Sequence, residues 1–84
     1  MHGVLILLHI AALDMVVLTT DLPAYHLPAG DVGTVILVHR HGGDEVKFAT
    51  LAGETVAEVT LSPDQVRPVG RREMAHVRVV PTAS

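Results

Sequence analysis

Hydrophobic and polar residues alternate in several short runs of this chain, and the pattern predicts strands rather than long helices. The clearest run covers residues 45–50, where Val46 and Phe48 fall on one side and Glu45 and Lys47 on the other. Because successive side chains of a strand face opposite sides, this run predicts a strand with one buried and one wet face.

Three further runs rich in β-branched and aliphatic residues predict strands over residues 14–20, 32–39 and 55–61. The segments between them are rich in Pro, Gly and Asp, which favour turns and surface loops. Gly53 is expected to supply the positive φ of a tight hairpin. Gly33 lies inside the second run, where a glycine indicates a bulge or a close backbone approach, and therefore a bend of the sheet.

The end of the chain carries two more local patterns. Ser62 followed by Pro63 predicts one short helical turn near residues 63–66, with Ser62 as its N-cap and Val66 in the core beneath it. Further on, Ala75, Val77 and Val79 alternate with His76 and Arg78, which predicts one more strand at an edge.

Closely spaced short strands with glycine bends and one helical turn predict an all-β fold, a small SH3-like barrel of about five short strands. An OB-fold or a small open sheet is the alternative. Eighty-four residues suit one domain. We divide it into an apolar N-terminal extension (residues 1–13) that forms a strand, with a short helical turn as the alternative, the barrel (residues 14–69), and a C-terminal part (residues 70–84) with an extra strand and a frayed tail.

The composition predicts self-association. Apolar residues make up 49% of the chain, yet Tyr25 and Phe48 are the only aromatic residues. So short a chain exposes more aliphatic surface than one core hides, and we expect a homo-oligomer, first of all a dimer. The candidate contacts are Val4, Ile6 and Leu8 in the N-terminal extension and Tyr25 in the loop after the first strand.

The apolar start of the chain is expected neither to span a membrane nor to direct secretion. No Lys or Arg precedes it, His9 interrupts it, and it is shorter than the ~20 residues that a bilayer requires. The chain contains no cysteine, which excludes disulfides and thiolate metal sites and fits a reducing cytosol. We therefore expect a cytoplasmic protein.

Seven short segments of residues 13–68 form an ordered pattern. They are Leu13-Asp14-Met15-Val16-Val17-Leu18, Asp21-Leu22-Pro23, Gly30-Asp31-Val32-Gly33-Thr34-Val35, Val46-Lys47-Phe48, Gly53-Glu54-Thr55-Val56-Ala57, Val59-Thr60-Leu61 and Asp64-Gln65-Val66-Arg67-Pro68. Through these segments, residues 14–69 resemble the bacterial family called domain of unknown function 4926. The resemblance implies a small SH3-like barrel with no assigned activity, sometimes encoded beside another small gene, and hence a small partner protein, as in a toxin–antitoxin pair. It implies no catalytic residue.

The weak candidates for a metal site are His39, His41 and Asp44. Two imidazoles two residues apart on an extended chain project to the same side, and Asp44 can add an oxygen ligand. A protein metal site usually needs three such ligands and supporting contacts. The alternative, a solvated turn at a strand end, is the one we favour, and we expect neither a metal nor another cofactor.

The sequence argues against an enzyme. Asp21 and Asp31 flank the loop that holds Tyr25 and His26, and a carboxylate–histidine pair can do acid–base chemistry. The ordinary alternative is that both carboxylates accept hydrogen bonds from nearby backbone amides in turns, with Tyr25 covering one end of the barrel. No nucleophile lies in a recognisable elbow, and the Gly30–Gly33 spacing lacks the lysine of a phosphate loop.

Nucleic-acid binding is the second class of function that the sequence leaves open. Residues 30–35 look similar to the glycine-centred loop and strand of the KOW motif, which meets RNA or protein. The formal net charge of −3 and the scarcity of aromatic residues argue against such binding. Its candidate residues are the arginines near the end of the chain: Arg67, Arg71, Arg72 and Arg78. We therefore expect a non-catalytic protein-interaction module, with nucleic-acid binding as the alternative.

Overall fold

The described part of the protein folds into one antiparallel sheet of five short strands. The structure, a computed structural model, describes residues 10–81. The strands lie in the order β4-β3-β2-β1-β5, so β1 to β4 form a meander and β5 returns to the free side of β1. Their bounds are β1 Met15–Leu18, β2 Val32–Val38, β3 Asp44–Ala49, β4 Thr55–Leu61 and β5 Val66–Pro68.

This architecture confirms the all-β class and the predicted number of strands. β4 and β5 are the two edges of the sheet, and no ladder joins them within residues 10–81. Closure of the sheet into an SH3-like barrel therefore stays a prediction.

The core consists almost entirely of aliphatic side chains on one face of the sheet. The alternation in β3 is confirmed, because Val46 is 0% and Phe48 2% exposed. Phe48 is the one aromatic member of the core cluster, as the composition leads us to expect. The cluster comprises Val16, Leu18, Leu27, Val35, Val46, Phe48, Leu61 and Val66.

Gly33 lets two core side chains of the paired strand β3 pack directly against the backbone of β2. A Cβ atom added at Gly33 would lie 2.5 Å from Val46 Cγ1 and 2.9 Å from Phe48 Cε1. The predicted close approach is therefore confirmed. The irregularity in the ladder is not at Gly33 but between Val35 and Leu37, where the register with β3 shifts.

The predicted helical turn is confirmed as a 3₁₀ turn at Pro63–Gln65, with Ser62 as its N-cap. The Ser62 backbone N–H donates to Gln65 Oε1 at 2.9 Å, which satisfies a donor that the turn leaves free. Val66 is buried, as predicted, but it also begins β5, which pairs with β1 and was not predicted.

The predicted strand in the C-terminal part is wrong for the residues that the structure describes. Within residues 70–81 there is no strand, and Val77 and Val79 are 70% and 88% exposed. The neighbouring position beside β1 is occupied by β5, so an alternating sequence has no edge of β1 left to pair with. Of the tail predicted to be frayed, residues 81–84, all but Pro81 lie outside the described residues.

The described part of the N-terminal extension, residues 10–13, forms a turn rather than a strand. Residues 10–13 contain no strand, and Leu13 has a φ of 73° in the left-handed region. The Ala11 backbone N–H donates to Asp14 Oδ2 at 2.8 Å, which closes the turn just before β1. Val4, Ile6 and Leu8 lie outside the described residues.

Candidate interaction surface

A group of exposed aliphatic side chains lies where β1 begins and β2 ends. One of its members opens β1, one lies two residues before β1, and three lie in the second half of β2. Their exposed fractions run from 38% to 79%. We call this group the aliphatic strip: Leu13, Met15, Ile36, Leu37 and Val38.

Backbone pairing brings the two halves of the aliphatic strip together. The Leu13 N–H donates to the Val35 carbonyl at 2.6 Å, and Met15 stands opposite Thr34 in the β1–β2 ladder. Past Val35 the register shift breaks the alternation of β2, so that three consecutive aliphatic residues are exposed. The ladder partners place Met15 and Leu37 on the face of the sheet opposite the core, the face of Thr34 and Glu45, and exposed apolar side chains that share a face are typical of an interaction site.

An open groove runs beside the aliphatic strip. Ile10, Met15, Pro68 and Val69 contribute to its lining, and Ile10 also packs against the core cluster. Ile10, the first residue that the structure describes, therefore lies between this groove and the core.

Tyr25 is exposed but is held on a different element. It closes the 3₁₀ turn Pro23–Tyr25, and 43% of its surface is exposed. The Asp21 carboxylate accepts from the Ala29 backbone N–H at 2.8 Å and fastens the ends of this loop, as the sequence predicted. Tyr25 therefore remains a separate candidate contact.

The candidate metal ligands do not form a cluster. Asp44 is buried at the start of β3, whereas His41 is exposed in the turn before it. The nearest acidic group to His39 is Glu45, with 3.7 Å between His39 Nε2 and Glu45 Oε1. In the part of the chain that the structure describes, no three His, Asp or Glu side chains converge on one point.

Asp31 takes a role that the sequence did not predict. Instead of capping a turn, its carboxylate accepts hydrogen bonds from the Arg78 guanidinium, including one from Nε at 2.8 Å. This ion pair joins residues 47 positions apart and fastens the C-terminal segment beside the start of β2. The carboxylate raises the pKa of Arg78, chiefly through these hydrogen bonds.

A second ion pair occupies another of the candidate nucleic-acid residues. Arg67 donates to both oxygens of Glu73, at 2.7 and 2.6 Å. These hydrogen bonds, with one from the Gly70 backbone N–H, lower the pKa of Glu73 to about 2. Of the four predicted arginines, only Arg71 and Arg72 make no ion pair with a described residue.

No helix within residues 10–81 has both the length and the apolar character needed to cross a membrane.

Comparison with known proteins matches one family. Neither the curated proteins nor the solved structures yield a match. The model of the family described as "Domain of unknown function (DUF4926)" matches residues 12–68, which include all five strands. This range coincides closely with the segments on which the resemblance was based, and the chain therefore belongs to this family of domains of unknown function.

Proposed function

We propose that this protein is a non-catalytic interaction module that associates with itself or with a small partner protein. The observation that supports this proposal is the aliphatic strip, which leaves five large apolar side chains partly in water in β2 and at the entry to β1. A free sheet edge offers a second means of association, since its unpaired backbone groups accept a further strand.

The size of the aliphatic strip decides how much it contributes. Complete burial of an aliphatic side chain is worth about 1.5–3 kcal/mol, so five half-exposed side chains supply roughly 5 kcal/mol. Association of two proteins costs about 4–15 kcal/mol in lost freedom of motion. The strip is therefore too small to act alone, and we propose that Val4, Ile6 and Leu8, which precede it in the sequence, add to the contact.

We place the module in the bacterial cytoplasm, because the chain has no cysteine and its family resemblance is to bacterial proteins. A partner encoded nearby, as in a toxin–antitoxin pair, is the form of hetero-association that the resemblance favours. A purification of the protein with its native partners from its own cell would identify such a protein directly.

The strip is tested by a charge placed in its centre. Leu37→Glu should lower the mass of the associated species in light scattering, because a buried glutamate without a partner is costly. Leu51→Glu is the matched control, since Leu51 is 89% exposed in the turn between β3 and β4 and lies outside the strip. Equal masses for both variants and the unaltered chain would remove the strip from the interface.

The N-terminal segment needs its own variant. We expect the triple substitution Val4→Ser, Ile6→Ser and Leu8→Ser to reduce the mass of the associated species while leaving the melting temperature of the monomer unaffected. An associated mass that is independent of these substitutions would show that residues 1–9 take no part in the contact.

A KOW-like nucleic-acid-binding role is the alternative proposal, and it has less support. Two exposed arginines, Arg71 and Arg72, are the groups that favour it, whereas Arg67 and Arg78 are bound to carboxylates. Retention on heparin that falls steeply with salt, and is lost in an Arg71→Glu, Arg72→Glu variant, would establish it. No retention at low salt would dismiss it.

A further inference from the structure

We propose that residues 74–80 of one copy add as a strand to the free edge of β4 in a second copy. This inference rests on the proposed self-association, and it names the sheet edge and the segment that meet there.

The donor segment has the sequence of a strand but no strand to pair with. Ala75, Val77 and Val79 alternate with His76 and Arg78, yet residues 70–81 form no ladder with any described strand. Three of its large apolar side chains, Met74, Val77 and Val79, are 93%, 70% and 88% exposed. Such a segment is ready to pair with a strand from another molecule.

The acceptor is the longer of the two free edges. β4 has seven residues and pairs only with β3 among the described strands, whereas the other edge strand, β5, has three. The proposed donor is also seven residues long, so the two segments match in length. Each spans about 23 Å at the rise of an extended chain.

The two faces of the segments match in chemistry as well as length. In β4, Ala57, Val59 and Leu61 stand opposite the buried residues of β3 and so face the core, and Glu58 points the other way. Placing Val77 beside Val59 continues the apolar face of β4 with Ala75, Val77 and Val79. This holds whether the two strands run parallel or antiparallel.

In that arrangement the basic side chains of the donor lie on the same face as Glu58, the one acidic residue of β4. His76 and Arg78 then lie beside Glu58 and Thr60, and Glu58 has no ion-pair partner among the described residues. Positive and negative charges are also separated along the chain, with the net positive charge near the C-terminus. Residues 70–84 contain three arginines and one glutamate, a formal charge of +2. Because the whole chain has a formal charge of −3, residues 1–69 carry −5. Opposite charges of this kind favour association between copies.

The donor is held away from β4 of its own chain. Arg78 is bound to Asp31, which directly precedes β2, and β3 separates β2 from β4. The segment leaves the sheet from β5, at the edge opposite β4. A second copy supplies the acceptor edge, and reciprocal exchange of two such segments closes a dimer.

Cysteine cross-linking tests the contact directly, because the chain has no native cysteine. We would mix full-length Val77→Cys protein with isotope-labelled Val59→Cys protein and treat the mixture with a short bismaleimide. Thr60→Cys serves as a second acceptor, since Thr60 is exposed and its replacement does not disturb the core. Ala24→Cys, exposed in the first 3₁₀ turn, is the control.

We expect a cross-linked pair of labelled and unlabelled chains with both β4 variants and not with Ala24→Cys. If the unaltered chain self-associates in light scattering but neither β4 variant cross-links, the inference is wrong and the proposed function survives. A chain that stays monomeric at several hundred micromolar would overturn the self-association and this inference together.

A second comparison uses one position only. Val77→Pro removes the backbone donor and the extended freedom that strand addition needs, whereas Val77→Thr keeps both. Because Val77 is exposed and unpaired within the chain, neither substitution should change the unfolding midpoint of the monomer. We expect Val77→Pro to weaken the dissociation constant at least about tenfold relative to Val77→Thr. Equal dissociation constants would overturn the inference.

Discussion

Replacing Gly33 by alanine tests whether the close approach of β2 to β3 determines the stability of this sheet. The added Cβ atom would lie 2.5 Å from Val46 Cγ1, 2.9 Å from Phe48 Cε1 and 3.1 Å from the Lys47 carbonyl oxygen. Carbon atoms in contact prefer about 3.5–4.0 Å, so the neighbouring side chains must move by roughly 1 Å. Val46 and Phe48 are fully buried and have no free space to move into.

The cost follows from that lack of space. Overpacking a core typically destabilises a protein by about 1–3 kcal/mol, and we expect about 3 kcal/mol here because two buried side chains are displaced at once. A domain of this size has a free energy of unfolding of about 4–13 kcal/mol, so the variant should stay folded but lose much of its stability. Since urea acts on small domains with a slope of about 1 kcal/mol/M, the unfolding midpoint should fall by roughly 3 M.

Repeating the substitution in Val46→Ala protein separates the steric clash at position 33 from the general cost of replacing a glycine. In Val46→Ala protein the Cγ1 atom is gone, so Gly33→Ala should cost at least about 1 kcal/mol less than in the unaltered chain. Gly53→Ala is the control, because Gly53 has a φ of +98° and no heavy atom within 4 Å of the added Cβ. Its cost should be the same in both backgrounds. A cost for Gly33→Ala below about 0.5 kcal/mol, or one unaffected by Val46→Ala, would refute the reasoning.

Three further predictions concern the carboxylates and the short turn. The pKa of Glu73, about 2, lies below its ordinary value of 4.5, so the ion pair with Arg67 should contribute to stability above about pH 4.5 and be lost as the pH falls towards 2; a carboxyl NMR titration of Glu73 with an ordinary midpoint would contradict this. Asp31→Asn removes the ion pair with Arg78 and frees residues 74–80, so the dissociation constant of the dimer in sedimentation should fall. A higher dissociation constant would contradict the idea that this ion pair competes with strand addition. Ser62→Ala should cost about 1 kcal/mol in urea unfolding, and an unchanged midpoint would mean that the cap is dispensable.

Local patterns sufficed for the features that depend only on neighbouring residues. The alternation around Val46 and Phe48 predicted which face of β3 is buried, because strand geometry alone sends successive side chains to opposite sides. Gly53 and the Ser62-Pro63 pair predicted a hairpin turn and a capped helical turn, because their conformational preferences act within a few residues.

Features that depend on distant residues appeared only in the folded chain. β5 is three residues long and ends in Pro68, and it becomes a strand because β1 offers it an edge. The alternating segment around Val77 pairs with no described strand; β1 already lies between β2 and β5, and Arg78 is bound to Asp31. No local pattern pairs Asp31 with Arg78, because their contact depends on the path of the 46 residues between them. The alternation of residues predicts how a strand would face, whereas the pairing available in three dimensions decides whether the strand forms at all.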